Sequence, residues 1–385
     1  MAPSSMKKRV ICQLCNFSPE TPGTFVDSIT FLAAYCRDRM DLETFCVFPA
    51  VARNKRWLRT FDEMGIRYGF VPRKRNVAAA VGRLLLDWQP VIFHSHFSLY
   101  DFSPVLLKIM GCRKSKILWH YHNPTPPTFL QRTKDVFKLQ LVARTVGAAC
   151  IAVGDGVYRS LLDAGFCAEK VFLVHNGVDT TRFSPDQRAR TRMRELLGIG
   201  ECQKKTLFLL LGGEPSRKGV DVFVKAAAEV VRAGFQSCGF LIVGDNKTKD
   251  FVMDLSEYPV LREYLKVLDP VDDFPSLVNA VDVFVSASRS EGLSYAVAEA
   301  LSAGKLALCS DIPGVREVYG NVDGVRLFPT QDSTQLAELM RDVGALPAAE
   351  RERLGKENRK YVAEQCSLAG WAAKVGDVYS RILQA

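Results

Sequence analysis

Nowhere in the 385 residues does an apolar run approach the ~18 residues of a membrane-spanning helix, which argues against an integral membrane protein. The N-terminus, MAPSSMKKRVICQLC, lacks the layout of a signal peptide: its apolar segment is short and runs on into a strand-like stretch. The eleven cysteines are odd in number and scattered, so they make no disulfide framework and favour a reducing compartment. Cys12 and Cys15 form a C-x-x-C with no second pair, inside a strand pattern, and read as core thiols rather than a zinc or redox site. No G-x-S-x-G elbow, no P-loop and no nucleic-acid recognition motif is present. Together these absences lead us to expect a cytoplasmic protein, without disulfides and without a nucleic-acid partner.

What is present is ample apolar material, 48% of residues, with a net charge of +9 that is unevenly placed. Residues 1–185 hold 25 Lys and Arg against 14 Asp and Glu, or +11, which leaves −2 for the rest. The excess includes Arg53, Lys55, Arg56 and Arg59 around Trp57 and Leu58, and the run Arg73, Lys74, Arg75. Such a half can rest on an anionic membrane surface or bind an acidic acceptor, or it can simply be a solvated basic face.

Strand and helix patterns alternate along both halves, which predicts an α/β protein with two doubly wound parallel sheets. Residues 182–204 are polar, have no strand pattern and form the best linker candidate. The expected domains are therefore 1–181 and 182–367. Thr128 to Val146 reads as a helix, Asp311 to Glu317 as a loop, and Leu368 to Leu383 as a final helix.

Ligands of such sheets bind beyond the strand C-termini, and the chemistry-bearing residues collect there. In the second half Val281 to Val285 is a strand, Ser286 to Glu291 a turn, Ser294 an N-cap candidate, and Tyr295 to Ser302 a helix closed by Gly304. Glu291 lies in the turn and Glu299 about 1.5 turns into the helix, roughly 8 Å along its axis. That spacing is unsuited to one acid/base pair. It suits a long ligand with hydroxyls at both ends and an anion between them, at the helix N-terminus. Such a ligand is a nucleotide sugar. The bland alternative is an ordinary strand–turn–helix with a glutamate in its turn.

Gly212 to Gly219, read GGEPSRKG, follows a strand and opens a helix. Arg217 and Lys218 at a helix start oppose the dipole, so an anion such as a diphosphate is needed to explain them, unless they are merely solvated. The early Thr21-Pro22-Gly23-Thr24 loop offers a second, weaker backbone approach to phosphate. All five histidines, His94, His96, His120, His122 and His175, fall at or just past strand ends of the first half. Each H-x-H pair can put two rings on one strand face, and this supports a rival reading as a metal-dependent hydrolase; polar residues lining a cleft are the plainer one.

Taken in order, HNGVDTTRF (175–183), SRKGVDVFVKA (216–226), LIVGD (241–245), AVDVFVSASRSEGLSYAVAEALSAG (280–304) and DIPGVREV (311–318) resemble the retaining glycosyltransferases of family 4, which have the GT-B fold. The first half shares only its glycine loop, HYHNP and IAVGDGVYRSLLDAGF with them. The resemblance implies two Rossmann-like domains facing a cleft, and a C-terminal helix, 368–385, that crosses back to the first domain. It implies transfer of a sugar from a nucleoside-diphosphate sugar, UDP favoured, to an acceptor hydroxyl on a glycolipid, polysaccharide or other glycoconjugate, with retention and without a metal or other cofactor. Glu291 then contacts the donor sugar and Glu299 the ribose. Gly292, Leu293 and Ser294 turn amides toward the diphosphate, Lys218 neutralises it, and His122 stands near the transferred sugar. Gly23, Gly213 and Gly244 complete the donor-binding set. There are departures. Gly213 stands where many members carry Arg, for which Arg217 substitutes; Thr24 replaces the second glycine of the early loop; and Ala287 replaces a usual Pro. A sugar-nucleotide epimerase or phosphorylase of the same fold, and an inactive nucleotide-binding protein, are the remaining alternatives. Localisation follows as cytoplasmic, or peripheral on the inner membrane face.

Overall fold

A computed structural model describes residues 8–20, 22–73, 76–97, 99–123, 142–199, 205–253 and 258–385. Thr21, Lys74, Arg75, Pro124 and most of the helix expected over 128–146 lie outside the described residues. The chain divides into two compact units, one formed by Met1–Gly177 with Leu368–Ala385, the other by Val178–Ser367.

The first unit is built on seven parallel strands: β1 (Lys8–Cys15), β2 (Glu43–Pro49), β3 (Arg67–Val71), β4 (Trp88–His96), β5 (Lys116–Tyr121), β6 (Ala149–Ala152) and β7 (Val171–Leu173). Their order is β3-β2-β1-β4-β5-β6-β7, so the sheet reverses direction of growth between β1 and β4. Its helices are α1 (Gly23–Met40), α2 (Leu58–Glu63), α3 (Val77–Leu84), α4 (Phe102–Ile109), α5 (Ala143–Val146) and α6 (Asp155–Asp163). Strand residues alternate between the two faces. Val10, Cys12, Leu14 and Phe93 pack with residues of α3 and α4. Ile11, Ile92 and Leu118 pack with α1 and with the last helix of the chain, Leu368–Gln384. Cys12 and Cys15 are both buried free thiols, and their three-residue spacing on a strand sends them to opposite faces.

The aromatic part of the basic segment around Trp57 belongs to the core. Trp57 and Leu58 are buried, the indole packs on Phe17, Phe48 and Phe61, and its Nε1–H donates to the Pro19 carbonyl at 3.0 Å. Arg53, Arg56 and Arg59 stay outside because their long stems reach water while the ring fills the core, and the half-buried Lys55 pairs with Glu20.

The second unit repeats the plan with six parallel strands: β8 (Thr206–Leu211), β9 (Cys238–Val243), β10 (Leu265–Leu268), β11 (Val283–Ser286), β12 (Leu306–Ser310) and β13 (Val325–Phe328), in the order β10-β9-β8-β11-β12-β13. Its helices are α7 (Gln187–Leu196), α8 (Pro215–Lys218), α9 (Val220–Arg232), α10 (Asn246–Met253), α11 (Phe274–Ala280), α12 (Tyr295–Ser302), α13 (Pro313–Tyr319), α14 (Ser333–Ala345) and α15 (Ala348–Gln365); the final helix, Leu368–Gln384, is α16. Val178 opens the unit: its N–H donates to Cys366 at 2.8 Å and it bridges Ser367, so the incoming and outgoing chains pair with each other.

Two segments differ from expectation. The polar stretch read as a linker contains α7, capped by the Asp186 side chain, which accepts from the N–H groups of Arg188 and Ala189. Arg190 donates to the Asn279, Ala280 and Val281 carbonyls, Arg194 donates to Ala280, and both arginines pair with Asp282 at 2.6 and 2.8 Å. Its polar composition reflects arginines that satisfy the carbonyls ending α11. The stretch read as a loop at 311–317 holds α13, with Pro313 in its first turn, where a missing N–H costs nothing.

Candidate functional site

In the second unit the switch point lies between β8 and β11, and the two loops leaving these strands meet there. Gly219 makes the meeting possible. It has φ +68°, and a Cβ at that position would run into the Ala287 carbonyl, so only glycine brings this turn against the end of β11. The Arg289 N–H then donates to the Arg217 carbonyl at 2.8 Å, and the Arg289 guanidinium grips Asp221 at 2.7 Å. No local pattern announces this Arg289–Asp221 clamp, since its partners lie 68 residues apart.

These contacts deliver Lys218 and Arg217 to Glu291. Lys218 Nζ stands 2.6 Å and Arg217 3.1 Å from the same oxygen, Glu291 Oε1, which also accepts the Ser288 hydroxyl at 2.9 Å. Burial pushes the Glu291 carboxyl up, but the two cations outweigh it and hold it below the usual carboxylate range. Arg217 is also bound to Glu214 at 2.9 Å and to the Ser290 carbonyl at 3.1 Å.

Arg217 and Lys218 do not sit at a helix N-terminus. They are the last residues of the four-residue α8, which Gly219 terminates in the left-handed conformation before α9 begins. Cations there agree with the peptide dipoles, and Glu214 and Glu291 already supply anions, so the helix-dipole argument for a phosphate does not apply.

Ser294 occupies the N-cap position of α12 with extended backbone, but its hydroxyl makes no capping bond. Gly292, Leu293 and Ser294 are buried, and α13 packs so close that a side chain on Gly314 would strike the Glu291 and Gly292 carbonyls. Glu299 is buried inside α12, and Gly304 follows that helix with φ +70°. Gly213 is exposed with open space beside it, whereas Gly212 and Gly244 face Thr248, whose hydroxyl donates to the Gly212 carbonyl at 2.7 Å.

The first unit holds a second cluster, also at its switch point. His94 and His96 lie on one face of β4, and the register sets His96 beside His120 on β5 and His94 beside Gln13 on β1. His122 follows β5, half-buried, with its Nε2 3.2 Å from His96 Nδ1. Burial and the neighbouring rings pull His94, His96 and His120 well below the ordinary histidine range, and burial takes His122 to about 3. All four are neutral at pH 7. Nitrogens of His94, His96 and His120 lie within 4.8 Å of one another, a spacing that can hold a metal ion. Yet the nitrogens of His94 and His96 and the Nδ1 of His120 are engaged otherwise, and His120 Nε2 alone of the three rings' nitrogens is buried without a partner among the described residues. His94 meets Tyr379 and His120, and His96 meets Gln13 and His122. Asp101, the carboxylate nearest in sequence, accepts the hydroxyl of Ser95, on the opposite face of β4. His175 stands apart, 3.9 Å from Asp155. Gly23, at φ +53°, is the first residue of α1 and exposed. Gly23 and His122 thus belong to one unit, and Gly213, Arg217, Lys218, Gly244, Glu291 to Ser294 and Glu299 to the other.

Residues 32–182 match the model of "Glycosyltransferase Family 4", and residues 205–345 match that of "Glycosyl transferases group 1". Among curated proteins, the alpha-D-kanosaminyltransferase of Streptomyces kanamyceticus is 24% identical over 56% of this chain and 55% of its own. The GDP-mannose-dependent alpha-(1-6)-phosphatidylinositol monomannoside mannosyltransferase of Mycolicibacterium smegmatis is 26% identical over 53% of this chain and 54% of its own. The chain thus spans about half the length of these relatives. Among solved structures, the Anabaena protein HepE in complex with UDP and glucose superposes with a TM-score of 0.80 at 15% identity, over 96% of this chain and all (100%) of that one. A Rickettsia africae glycosyltransferase gives 0.81 at 17%, over 97% and 99%. At such identities the superpositions establish the GT-B fold.

Proposed function

For a chain that belongs to the GT-B glycosyltransferases, with a family 4 domain in its first half and a group 1 domain in its second, we propose transfer of a sugar from a nucleoside-diphosphate sugar to an acceptor hydroxyl, with retention of configuration. The observation that carries this reading is the convergence of Lys218 and Arg217 on the half-buried Glu291 beside the start of α12. A leaving diphosphate gains charge as the glycosidic bond breaks. Two fixed cations and helix-terminal amides stabilise that charge without reorganising. The same two cations make a metal ion unnecessary. Glu291 and Glu299 are assigned to the sugar and ribose hydroxyls, and His122 to the transferred sugar.

The donor is proposed as a UDP-sugar, and the HepE complexes with UDP support that choice; the GDP-mannose dependence of the mycobacterial relative makes GDP the competitor to test. The test is thermal: UDP, GDP and ADP, with their glucose or mannose conjugates, are titrated against the protein. UDP compounds are expected to raise Tm most, by mass action on the folded state. A larger shift with GDP reassigns the nucleotide, and no shift with any of them removes the donor site.

A membrane-borne acceptor is supported by one surface. No helix among the described residues is long and apolar enough to cross a membrane. On and around α4, however, Leu99, Phe102, Leu106, Ile109 and Met110 are 42 to 70% exposed, beside the exposed Arg113 and Lys114. Apolar side chains flanked by cations fit an anionic bilayer. Ile109→Glu with Met110→Glu is expected to cut sedimentation with phosphatidylserine vesicles at least tenfold while leaving Tm unchanged. Equal sedimentation of wild type and variant removes this surface from the proposal.

A further inference from the structure

The four-histidine cluster of the first unit has a property that its nitrogens impose. Gln13, 1% exposed on β1, has a donor at one end of its amide and an acceptor at the other. Its Nε2 donates to the Tyr379 hydroxyl at 2.9 Å. A phenol has one proton, and Tyr379 directs it to His94 Nδ1, 2.7 Å away. His94 therefore carries its own proton on Nε2, which faces His120 Nδ1 at 3.2 Å, and His120 in turn carries its proton on Nε2, a buried nitrogen with no partner among the described residues. At the other end Gln13 Oε1 can only accept, so His96 Nε2, 3.0 Å away, carries a proton. The bare His96 Nδ1 then accepts from His122 Nε2 at 3.2 Å. Following the protons outward gives the same answer on both arms: every ring is protonated on Nε2.

We propose that Gln13 and Tyr379 are positioning residues that hold His94, His96, His120 and His122 in one shared neutral tautomer, leaving His122 Nδ1 bare as an acceptor. The coupling is all-or-none. Turning the Gln13 amide over reverses each bond in the two arms and moves all four protons to Nδ1, and a mixture of tautomers breaks at least one hydrogen bond. Rings kept neutral by burial are what such a chain requires, since an imidazolium has no bare nitrogen to pass on. The device draws on the two ends of the chain: Gln13 from the first strand and Tyr379 from α16, both fully buried against the sheet. The assignment of the bare His122 nitrogen to a hydroxyl of the transferred sugar rests on the transferase reading. The tautomer chain does not.

Histidine-selective 15N labelling of the full-length protein, read by long-range proton–nitrogen correlation, tests it, because bare and protonated nitrogens of neutral imidazole resonate far apart. In the wild type at pH 7 the four rings are expected as one neutral set protonated on Nε2; His175 is the internal reference outside the chain. Tyr379→Phe removes the group that fixes the Gln13 amide, so it is expected to bring the Nδ1–H form into view on His94 and His120 and to free the Gln13–His96–His122 arm to turn over independently. Gln13→Met is expected to mix tautomers on both arms. Nucleotide-induced Tm shifts, which depend on the other unit, should be unchanged in both variants. A wild-type cluster of mixed tautomers, a charged ring at pH 7, or resonances shifted by a stoichiometric metal ion each overturn the proposal. So does a Tyr379→Phe spectrum identical to that of the wild type. Failure of the transferase reading would show instead as absent nucleotide binding with the four-ring pattern intact.

Discussion

Lys218→Ala is expected to lower kcat/KM for sugar transfer by about a hundredfold to a thousandfold, the usual cost of removing one preorganised group from a developing charge. The loss should fall mainly on kcat, because the leaving diphosphate is more negative in the transition state than in the bound donor. Folding should suffer little. Glu291 keeps Arg217 at 3.1 Å and the Ser288 hydroxyl at 2.9 Å, so no buried carboxylate is stranded. Glu291→Gln should match it in rate, since the amide keeps the shape but loses the charge that holds Lys218 at 2.6 Å. In that variant Arg217 remains on Glu214. Both substitutions are read by steady-state transfer assay and by Tm. Wild-type-like rates in either variant would refute the placement of the chemistry at this turn. A collapse of Tm would make these residues structural ones.

Asp282→Ala is expected to destabilise the second unit by about 3 to 5 kcal/mol, the range for stripping one partner from a buried charge cluster. Its two carboxylate oxygens take Arg190 and Arg194, and one also accepts the Leu207 N–H at 2.8 Å. Arg194 is itself buried, so removing the aspartate takes away the carboxylate that its guanidinium pairs with at 2.8 Å. Lys305 sits in the same cluster, its pKa brought down to about 7 by burial first and Arg190 next, with Asp282 acting in the opposite direction. Asp282→Asn keeps one acceptor oxygen and should cost less. In calorimetry the shifted transition should be the one that nucleotide raises, since α7, Asp282 and the Lys218–Glu291 turn share one unit. An Asp282→Ala transition within a degree of wild type would mean that α7 is held by apolar packing alone.

These two predictions divide the molecule by what its sequence made legible. The strand–turn–helix at 283–302 could be read at once, because a buried strand, an N-cap position and a following glycine are local signals. The pairing of Lys218 with Glu291 could be expected only from the resemblance. What produces it is the close approach of Gly219 to Ala287, a contact made across 68 residues. Residues 187–196 look like a linker because a helix that satisfies another helix's carbonyls is polar on the very face it buries. Trp57, set among arginines, looks like a surface anchor, because nothing in a basic sequence tells which side of the backbone meets Phe48. The H-x-H pairs were visible, but Gln13 and Tyr379 were not distinguishable from any other polar residue in a strand or helix.

By itself, then, the sequence determined the α/β class, the alternation of strands and helices in both halves, the two glutamates and the cations of the second half, and the placing of histidines at strand ends. These follow from periodicity and from motifs that act over a few residues, where the chain's own geometry does the work. Tertiary structure alone decided who pairs with whom. Glu291 is held below the usual carboxylate range by two cations from another turn, Arg194 pairs with an aspartate just ahead of β11, and the four histidines owe their shared tautomer to residues 366 positions apart. The physical reason is that a hydrogen bond or ion pair is worth most where water is excluded, and only the assembled sheet and its helices exclude it.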